Sequence, residues 1–515
     1  MAHDKRPPRP GADTGAVARG AGMAFLGRMG ALIEPVSVLI FATLYGAPTL
    51  GLFLLLWGYV QLAAVGSDYA MTTTLQRFVP STTDEDRIHG IVKLALLLST
   101  GVSILFAAAL TLAAPVLAGF INAEEGVTGQ IETIIRIYAW AVPLWVLIEV
   151  TTAAVRARRA FGPEVRVRIF YEQGLRLVLG VAFFLIGFTI YGLFMAHLAA
   201  LAMAGYLSLR LLARHYEIAR LFRASLSGPM LREMLAYASP MAASNIIKRL
   251  QINLPLYVLN LILPGAAGAT AVAIYAIARK VVSMLHVIRQ SFEYVVAPMA
   301  SATRAGSEDR ARTDHTLGEM YAFSTRMICA LFIPAAATVI MIRRDIVGVI
   351  GPEYAGAGTL IAILAMGRAM EAATGPSTAM VEMLGRYRLP LLNGLLGLMV
   401  ATGLLIWLAP AMGPPGAAVA ASVGINVTAL AGLLQIWRIY GLQPYDRRII
   451  RPVVVAGAGA LLVIGIVVLL TPLGSGARFA GALGGLVLAL ILLIRYGLGS
   501  RDASTFGRIG RWLRH

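Results

Sequence analysis

The chain has 515 residues, 58% of them hydrophobic and only 14% charged, with a formal net charge of +18. Its mean hydropathy of +0.75 excludes a soluble domain of ordinary composition and makes the bilayer its solvent. The single cysteine, Cys329, excludes an intrachain disulfide and a cysteine-based metal site.

Continuous apolar runs such as 52–65, 91–120, 331–342, 391–412 and 453–470 must satisfy their backbone polar groups within their own segments, which requires helices. Each crossing needs roughly 20 apolar residues. In chain order the predicted spans lie near 20–44, 51–76, 91–120, 129–154, 169–187 and 191–212. A second group lies near 235–262, 269–300, 318–342, 356–384, 390–410 and 415–438, and two more near 452–471 and 477–497. The fifth is the weakest, because Glu172, Gln173 and Arg176 interrupt it. The expected fold class is an all-α polytopic membrane protein with about 14 transmembrane helices.

Charge distribution tests that count, since cytoplasmic loops are rich in Lys and Arg. Basic groups recur at Lys5–Arg9, Arg77–Lys93, Arg156–Arg168, Arg210–Arg232, Arg304–Arg312, Arg386–Arg388 and Arg438–Arg451. Between them, the loops near Pro48, Ala123, Thr189, Pro264 and Pro414 contain no Lys or Arg. Only Arg343, Arg344 and Arg478 break the alternation, which places both termini in the cytoplasm. The net charge is therefore topological, held where anionic lipids lie. No basic domain is separable from the spans, so no nucleic acid is expected as a partner. Residues 1–16 are polar, and the long apolar stretch after them lacks a small-residue cleavage site, as a retained first span does.

The longest loop, around 213–231, is too short for a folded domain, and no Gly-rich phosphate loop is present. ATP-driven chemistry by this chain and a large catalytic loop are thereby disfavoured. No cofactor and no metal are expected, and any transport site must lie inside the membrane.

An internal repeat points the same way, since secondary transporters are built from repeated halves. Tyr45-Gly46-Ala47-Pro48-Thr49-Leu50-Gly51-Leu52-Phe53 opens the second span, and Pro264-Gly265-Ala266-Ala267-Gly268 through Ile274-Tyr275 opens the eighth. Counting back from the two glycines reaches Arg28 in one half and Lys248 with Arg249 in the other. The repeat predicts two pseudo-symmetric six-helix bundles plus two C-terminal helices. The corresponding segments are a tail at 1–16, an N-lobe at 17–212, a linker at 213–234, a C-lobe at 235–440, a terminal helix pair at 441–497 and a basic tail at 498–515.

Ionisable residues inside spans are costly and face a cavity or a partner. At 100° per residue, Arg279, His286, Arg289, Gln290 and Glu293 share one stripe of the eighth span. Asn245, Lys248, Arg249 and Asn253 share a face of the seventh, and Arg368, Glu371 and Glu382 one of the tenth. Local pairs account for part of this, Arg289 with Glu293 at i+4 and Arg368 with Glu371 at i+3. Arg28, Lys248, Arg249 and Arg279 have no such acid nearby in the same helix. Cations facing a cavity suit an anion, and the planar fork of Arg suits phosphate. Arg28, Lys248, Arg249, Arg279 and Arg289 are therefore the candidate substrate-binding residues. Asp68, Glu293 and Glu371 are candidates for ion coupling, because a carboxylate at low dielectric readily exchanges a proton. For Asp68 the competing reading is a structural hydrogen bond to Thr72, Thr73 or Thr74. For His197 it is a satisfied core histidine.

The stretch Ser67-Asp68-Tyr69-Ala70-Met71-Thr72-Thr73-Thr74-Leu75-Gln76-Arg77-Phe78-Val79-Pro80 resembles the segment closing on Arg-Phe-Val in bacterial oligosaccharide flippases. Ala273-Ile274-Tyr275-Ala276-Ile277-Ala278, Pro298 and Gly351-Pro352-Glu353-Tyr354-Ala355-Gly356-Ala357 add to the likeness. From about residue 15 to 497 the chain resembles the polysaccharide-transport, Wzx-type branch of the multidrug/oligosaccharidyl-lipid/polysaccharide (MOP) exporter superfamily. The resemblance implies a V-shaped pair of bundles around a cationic cavity. It also implies alternating access that carries a polyprenyl-diphosphate-linked oligosaccharide across a bacterial inner membrane. Membrane lipids, a polysaccharide polymerase and export machinery are the partners it implies. By the same analogy the two terminal helices serve the lipid tail, with Gly474, Gly476, Gly481, Gly484 and Gly485 permitting close helix approach. The alternatives are an organic-cation antiporter of the same superfamily, which the cationic stripes oppose, and a membrane-embedded enzyme of glycan assembly.

Overall fold

The computed structural model describes residues 33–158, 166–305, 310–384 and 388–499. Their regular elements are helices, with no strand among the described residues. Ten of these helices are long and apolar enough to cross a membrane. Large apolar side chains point outward from them: Leu105, Leu112 and Val116 are 69%, 82% and 66% exposed. A surface of that kind is stable only against hydrocarbon. The protein is a multi-pass membrane protein.

The described residues cluster into two units. One comprises the described part of 30–277 with 404–417, the other 278–403 with 418–499.

In the first unit the Ile33–Asp68 helix is interrupted at Gly46, whose φ of 74° lies outside the helical region. The contacts on either side show that the chain reverses there. Helices Gln173–Leu185 and Tyr191–His215 form an antiparallel hairpin, with His197 3.6 Å from Glu172 and the Tyr45 hydroxyl donating to the Gly180 carbonyl at 2.6 Å while lying against Gly192. Phe41 and Tyr45 run up the first arm, against Gly180 and Phe184. Phe53 and Trp57 run down the second, against Phe194 and His197. Glycine is needed at the break because a left-handed backbone costs other residues roughly 1–2 kcal/mol. Gly265, in the sequence segment matched to 45–53, also has positive φ, at 57°.

The segments 45–53 and 264–275 meet. A Cβ built on Gly51 would overlap the backbone carbonyl oxygen of Ala269, so the absence of a side chain sets the approach of these two helices. Gly51→Ala is expected to cost at least the upper end of the ~1–3 kcal/mol seen for overpacked cores, because backbone cannot rotate away. Thermal unfolding in detergent checks this, with Gly66→Ala as control, since a Cβ there meets nothing within 4 Å. Equal midpoints for the two variants would refute the close approach.

At one end of this unit the basic loops are tied to acids. Arg158 makes a bidentate pair with Glu85 at 2.6 and 2.5 Å, and Arg220 reaches Asp86 at 2.8 Å. Asp84 caps the Glu85–Ala118 helix through the Asp86 amide, and Lys93 donates to the Phe222 and Ala224 carbonyls that end the Ile218–Arg223 helix. At the other end, loops without Lys or Arg are joined by amides. Asn122 and Asn260 exchange side-chain to backbone hydrogen bonds of 2.7–3.1 Å.

Two of the three polar residues that weaken the fifth predicted span, Glu172 and Arg176, turn inward together with His197 of the next helix. Glu172, Arg176 and His197 are buried, with Arg176 3.5 Å from Glu172 and the Tyr138 hydroxyl 2.7 Å from His197 Nδ1. His197 is a satisfied core histidine.

In the second unit, helices Ile450–Leu469 and Ser475–Leu492 form a terminal hairpin. Gly481 and Gly485 face Leu470, Ile466 and Val463 at close range, whereas Gly476 and Gly484 face open space. Arg478, one of the charges that breaks the loop alternation, grips Asp345 of the Arg343–Ile350 helix through Nε at 3.1 and 3.2 Å and also through Nη2. The exception is thus half of an ion pair.

Candidate functional site

Within the 30–277 unit a polar cavity of about 310 Å³ is lined by Asp68, Thr72, Trp145, Glu149, Lys248 and Arg249, among others. Three chain breaks and helix faces bring these residues together. After Asp68 the helix stops at two consecutive left-handed residues, Tyr69 (φ 47°) and Ala70 (φ 57°). Neither is glycine, so this geometry stores roughly 1–3 kcal/mol per residue, an expense typical of functional sites. Its effect is to place the Asp68 carboxylate at the amino end of the Met71–Phe78 helix. There Oδ2 accepts from the Thr72 hydroxyl at 2.9 Å and Oδ1 from the Thr72 amide at 3.4 Å. A helix amino terminus favours an anion. The Ser99 hydroxyl holds the Asp68 carbonyl at 3.1 Å.

The helix Ala141–Ala157 contributes Glu149, which is paired with Arg168 at 2.6 Å. The Arg168 guanidinium also lies 5.3 Å from the centre of the Trp145 ring. The opposite wall is the Gly228–Ile262 helix. Asn245, Lys248, Arg249 and Ile252 line the cavity, and Arg249 donates to Gln61 Oε1 at 3.2 Å. Asn253, on the same sequence stripe, packs instead beside Gly58. Four formal charges therefore line the cavity, two acidic and two basic, and Arg168 behind Glu149 tips the balance to positive.

The second unit holds a different arrangement. Arg289 is 2% exposed, with its Nε 2.9 Å from Glu293 and its Nη1 against Glu371. Arg368 donates to the other oxygen of Glu371 at 2.6 Å. The two local pairs expected from helical spacing are thus one network of two arginines and two glutamates. Beside it, the Glu371 carbonyl accepts from Thr374, whose own carbonyl accepts from the Tyr321 hydroxyl at 2.9 Å.

The candidate residues fall into three groups. Lys248, Arg249 and Asp68 share the polar cavity of the first unit. Arg289, Glu293 and Glu371 share the network of the second, where Arg279 is also placed, half-buried. Arg28 lies outside the described residues. Sequence reasoning missed Gln61 and the pairing of Arg168 with Glu149, which no spacing within one helix can signal.

Ionisable residues inside membrane helices face a cavity or a partner, and the two units show one case of each. The chain belongs to the polysaccharide biosynthesis protein family, whose model matches residues 81–357. No curated protein matches the sequence. Solved structures share the fold at low identity. The lipid II flippase MurJ in an inward closed conformation aligns with a TM-score of 0.69 at 12% identity, over 92% of this chain and 97% of that one. An inward-facing multidrug resistance MATE family transporter of the MOP superfamily aligns at 0.65 and 14% identity, over 81% and 94%. A MOP superfamily transporter from Pyrococcus furiosus, described as having a binding pocket of reverse polarity, aligns at 0.62 and 14%, over 85% and 99%. The chain has the fold of MOP superfamily transporters.

Proposed function

We propose that the protein is a flippase that moves a polyprenyl-diphosphate-linked oligosaccharide across the bacterial inner membrane by alternating access, for assembly of a surface polysaccharide. The observation that carries the reading is the adjacency of Lys248 and Arg249 in a cavity between the Ile33–Asp68, Ala141–Ala157 and Gly228–Ile262 helices. A diphosphate offers several acceptor oxygens, and a guanidinium beside an ammonium supplies both paired donors and a point charge. Membership of a polysaccharide biosynthesis family and a fold shared with a lipid II flippase agree with such a cargo. An antiporter of organic cations calls for an acidic cavity, and here one of the two acids is already neutralised by Arg168. A polysaccharide polymerase and export machinery are the partners this reading requires.

Fourteen crossings with cytoplasmic termini are part of the same reading. On this reading the Gly46 reversal in the Ile33–Asp68 helix separates two of the spans, which are counted as one among the ten long helices. Gln173–Leu185 and Ala357–Ala373 are short, and Gly228–Ile262 carries the cavity cations, so composition alone passes over all three. Asp68, Glu293 and Glu371 remain the proposed ion-coupling carboxylates, and Arg28, Arg279 and Arg289 proposed further contacts to the cargo.

Reconstitution in vesicles tests the function. A fluorescent polyprenyl-diphosphate-linked sugar should become accessible to an impermeant quencher faster with the protein than without it. Transport of a lipophilic cation, with no movement of the lipid, would replace this reading by the antiporter.

A further inference from the structure

Beside its polar cavity the first unit holds an apolar hollow, and the two are built on the same pair of helices. It is a groove of about 570 Å³, and Tyr59, Leu62, Ala63, Gly66, Phe106 and Leu110 are among its lining. Ile246 and Leu250 face it from the Gly228–Ile262 helix, while their chain neighbours Asn245 and Arg249 face the polar cavity. The same alternation holds on the Ile33–Asp68 helix, where Ala63 and Gly66 line the groove and Ala64 and Val65 the cavity. The two hollows therefore lie back to back across one pair of helices.

The seam between those helices is held by small and polar contacts. Gly58 lets the Tyr257 ring approach, and a Cβ there would sit 3.2 Å from it. The Tyr59 and Tyr257 rings stack at 4.3 Å. Arg249 reaches Gln61 at 3.2 Å, and the hydroxyls of Tyr69 and Ser239 meet at 3.1 Å. Residues 63–66 and 245–250, where both hollows abut the wall, lie between or beside these contacts.

We infer that the groove holds the hydrocarbon chain of the same cargo whose anionic head occupies the polar cavity, the molecule lying across the seam. The inference rests on the flippase reading. Three features select this occupant. The groove offers hydrocarbon to hydrocarbon, a cationic pair stands one residue away on the same helix, and an amphiphile with an anionic head satisfies both at once. Phe106 and Phe120, 44% and 64% exposed, are part of the lining and leave the groove open on that side, so a long chain continues out of it without being enclosed. The terminal hairpin is not needed for this path.

Gly66 makes the idea testable, because a side chain there points into open space and fills the groove without displacing protein. Purified protein in detergent is titrated with undecaprenyl diphosphate and, separately, with inorganic pyrophosphate, for wild type, Gly66→Leu and Leu110→Phe. Wild type is expected to bind both, the lipid at least tenfold more tightly. The two variants should lose that preference, keep pyrophosphate affinity within twofold, and retain the wild-type unfolding midpoint. Unchanged lipid preference in both variants would overturn the groove assignment and leave the head-group site standing. Binding of neither probe by wild type would overturn the flippase reading and the groove together. Loss of pyrophosphate binding in the groove variants would show that they act on the cationic cavity, which also refutes a separate tail site.

Discussion

If the protein is the proposed flippase, reversing both charges in Lys248→Glu, Arg249→Glu is expected to abolish translocation of the diphosphate lipid while leaving inserted protein at near-normal level. Each charge-assisted hydrogen bond lost is worth roughly 1.5–3 kcal/mol, one to two decades in affinity. Two losses plus like-charge repulsion place residual activity below detection. The reversal also sets two new carboxylates against Asp68 and Glu149, the acids already lining that cavity, so an anionic head is excluded from the whole volume. Graded substitutions separate charge from hydrogen bonding. Arg249→Lys keeps partial activity, and Arg249→Gln keeps little, although an amide still bonds to Gln61. Transport per inserted molecule, measured in vesicles, is the readout. If Gln performs as well as Lys, Arg249 only ties its helix to Gln61 and the site lies elsewhere.

The second large effect is on stability. Glu371→Leu leaves Arg289 buried beside Glu293 alone and releases Arg368, and breaking a buried pair by removing one partner costs about 3–5 kcal/mol. The expected result is little folded protein in the membrane. The double variant Arg289→Met, Glu371→Leu removes the buried charges together, and such replacements are often neutral or stabilising. It should restore folding. Translocation by the refolded double variant then measures what Arg289 and Glu371 together do for transport, since their structural cost has been removed. Normal folding of the single variant would mean that Arg289 and Glu371 are not coupled.

Much of the architecture was legible in the residues because bilayer physics writes itself along the chain. The break near Pro48 was readable from Gly46-Ala47-Pro48 between two apolar runs, and the reversal at Gly46 realises it. The Asp68 segment was readable as a carboxylate beside hydroxyls, and Thr72 supplies that bond. Arg289–Glu293 and Arg368–Glu371 were readable from helical spacing. Their fusion through Arg289 and Glu371 was not, because periodicity reports which residues share a face and never which faces meet. The same limit hid Glu149 with Arg168 and Arg478 with Asp345. The fifth span read as weak because Glu172 and Arg176 look like exposed polar residues until His197 is brought to them from the next helix.

The reversal at Gly46 has a consequence for how the chain enters the membrane. Two apolar helices joined by a single left-handed glycine cannot be threaded one at a time with a pause between them, because no stretch of linker exists to park in water. They partition as one hairpin, and the strongly apolar arm from Gly51 onward carries in the arm that bears Glu34, whose insertion alone is unfavourable by a few kcal/mol. A charged insertion at residues 46–48 would therefore act during biogenesis, by uncoupling two segments that must be delivered together, before any cargo is met.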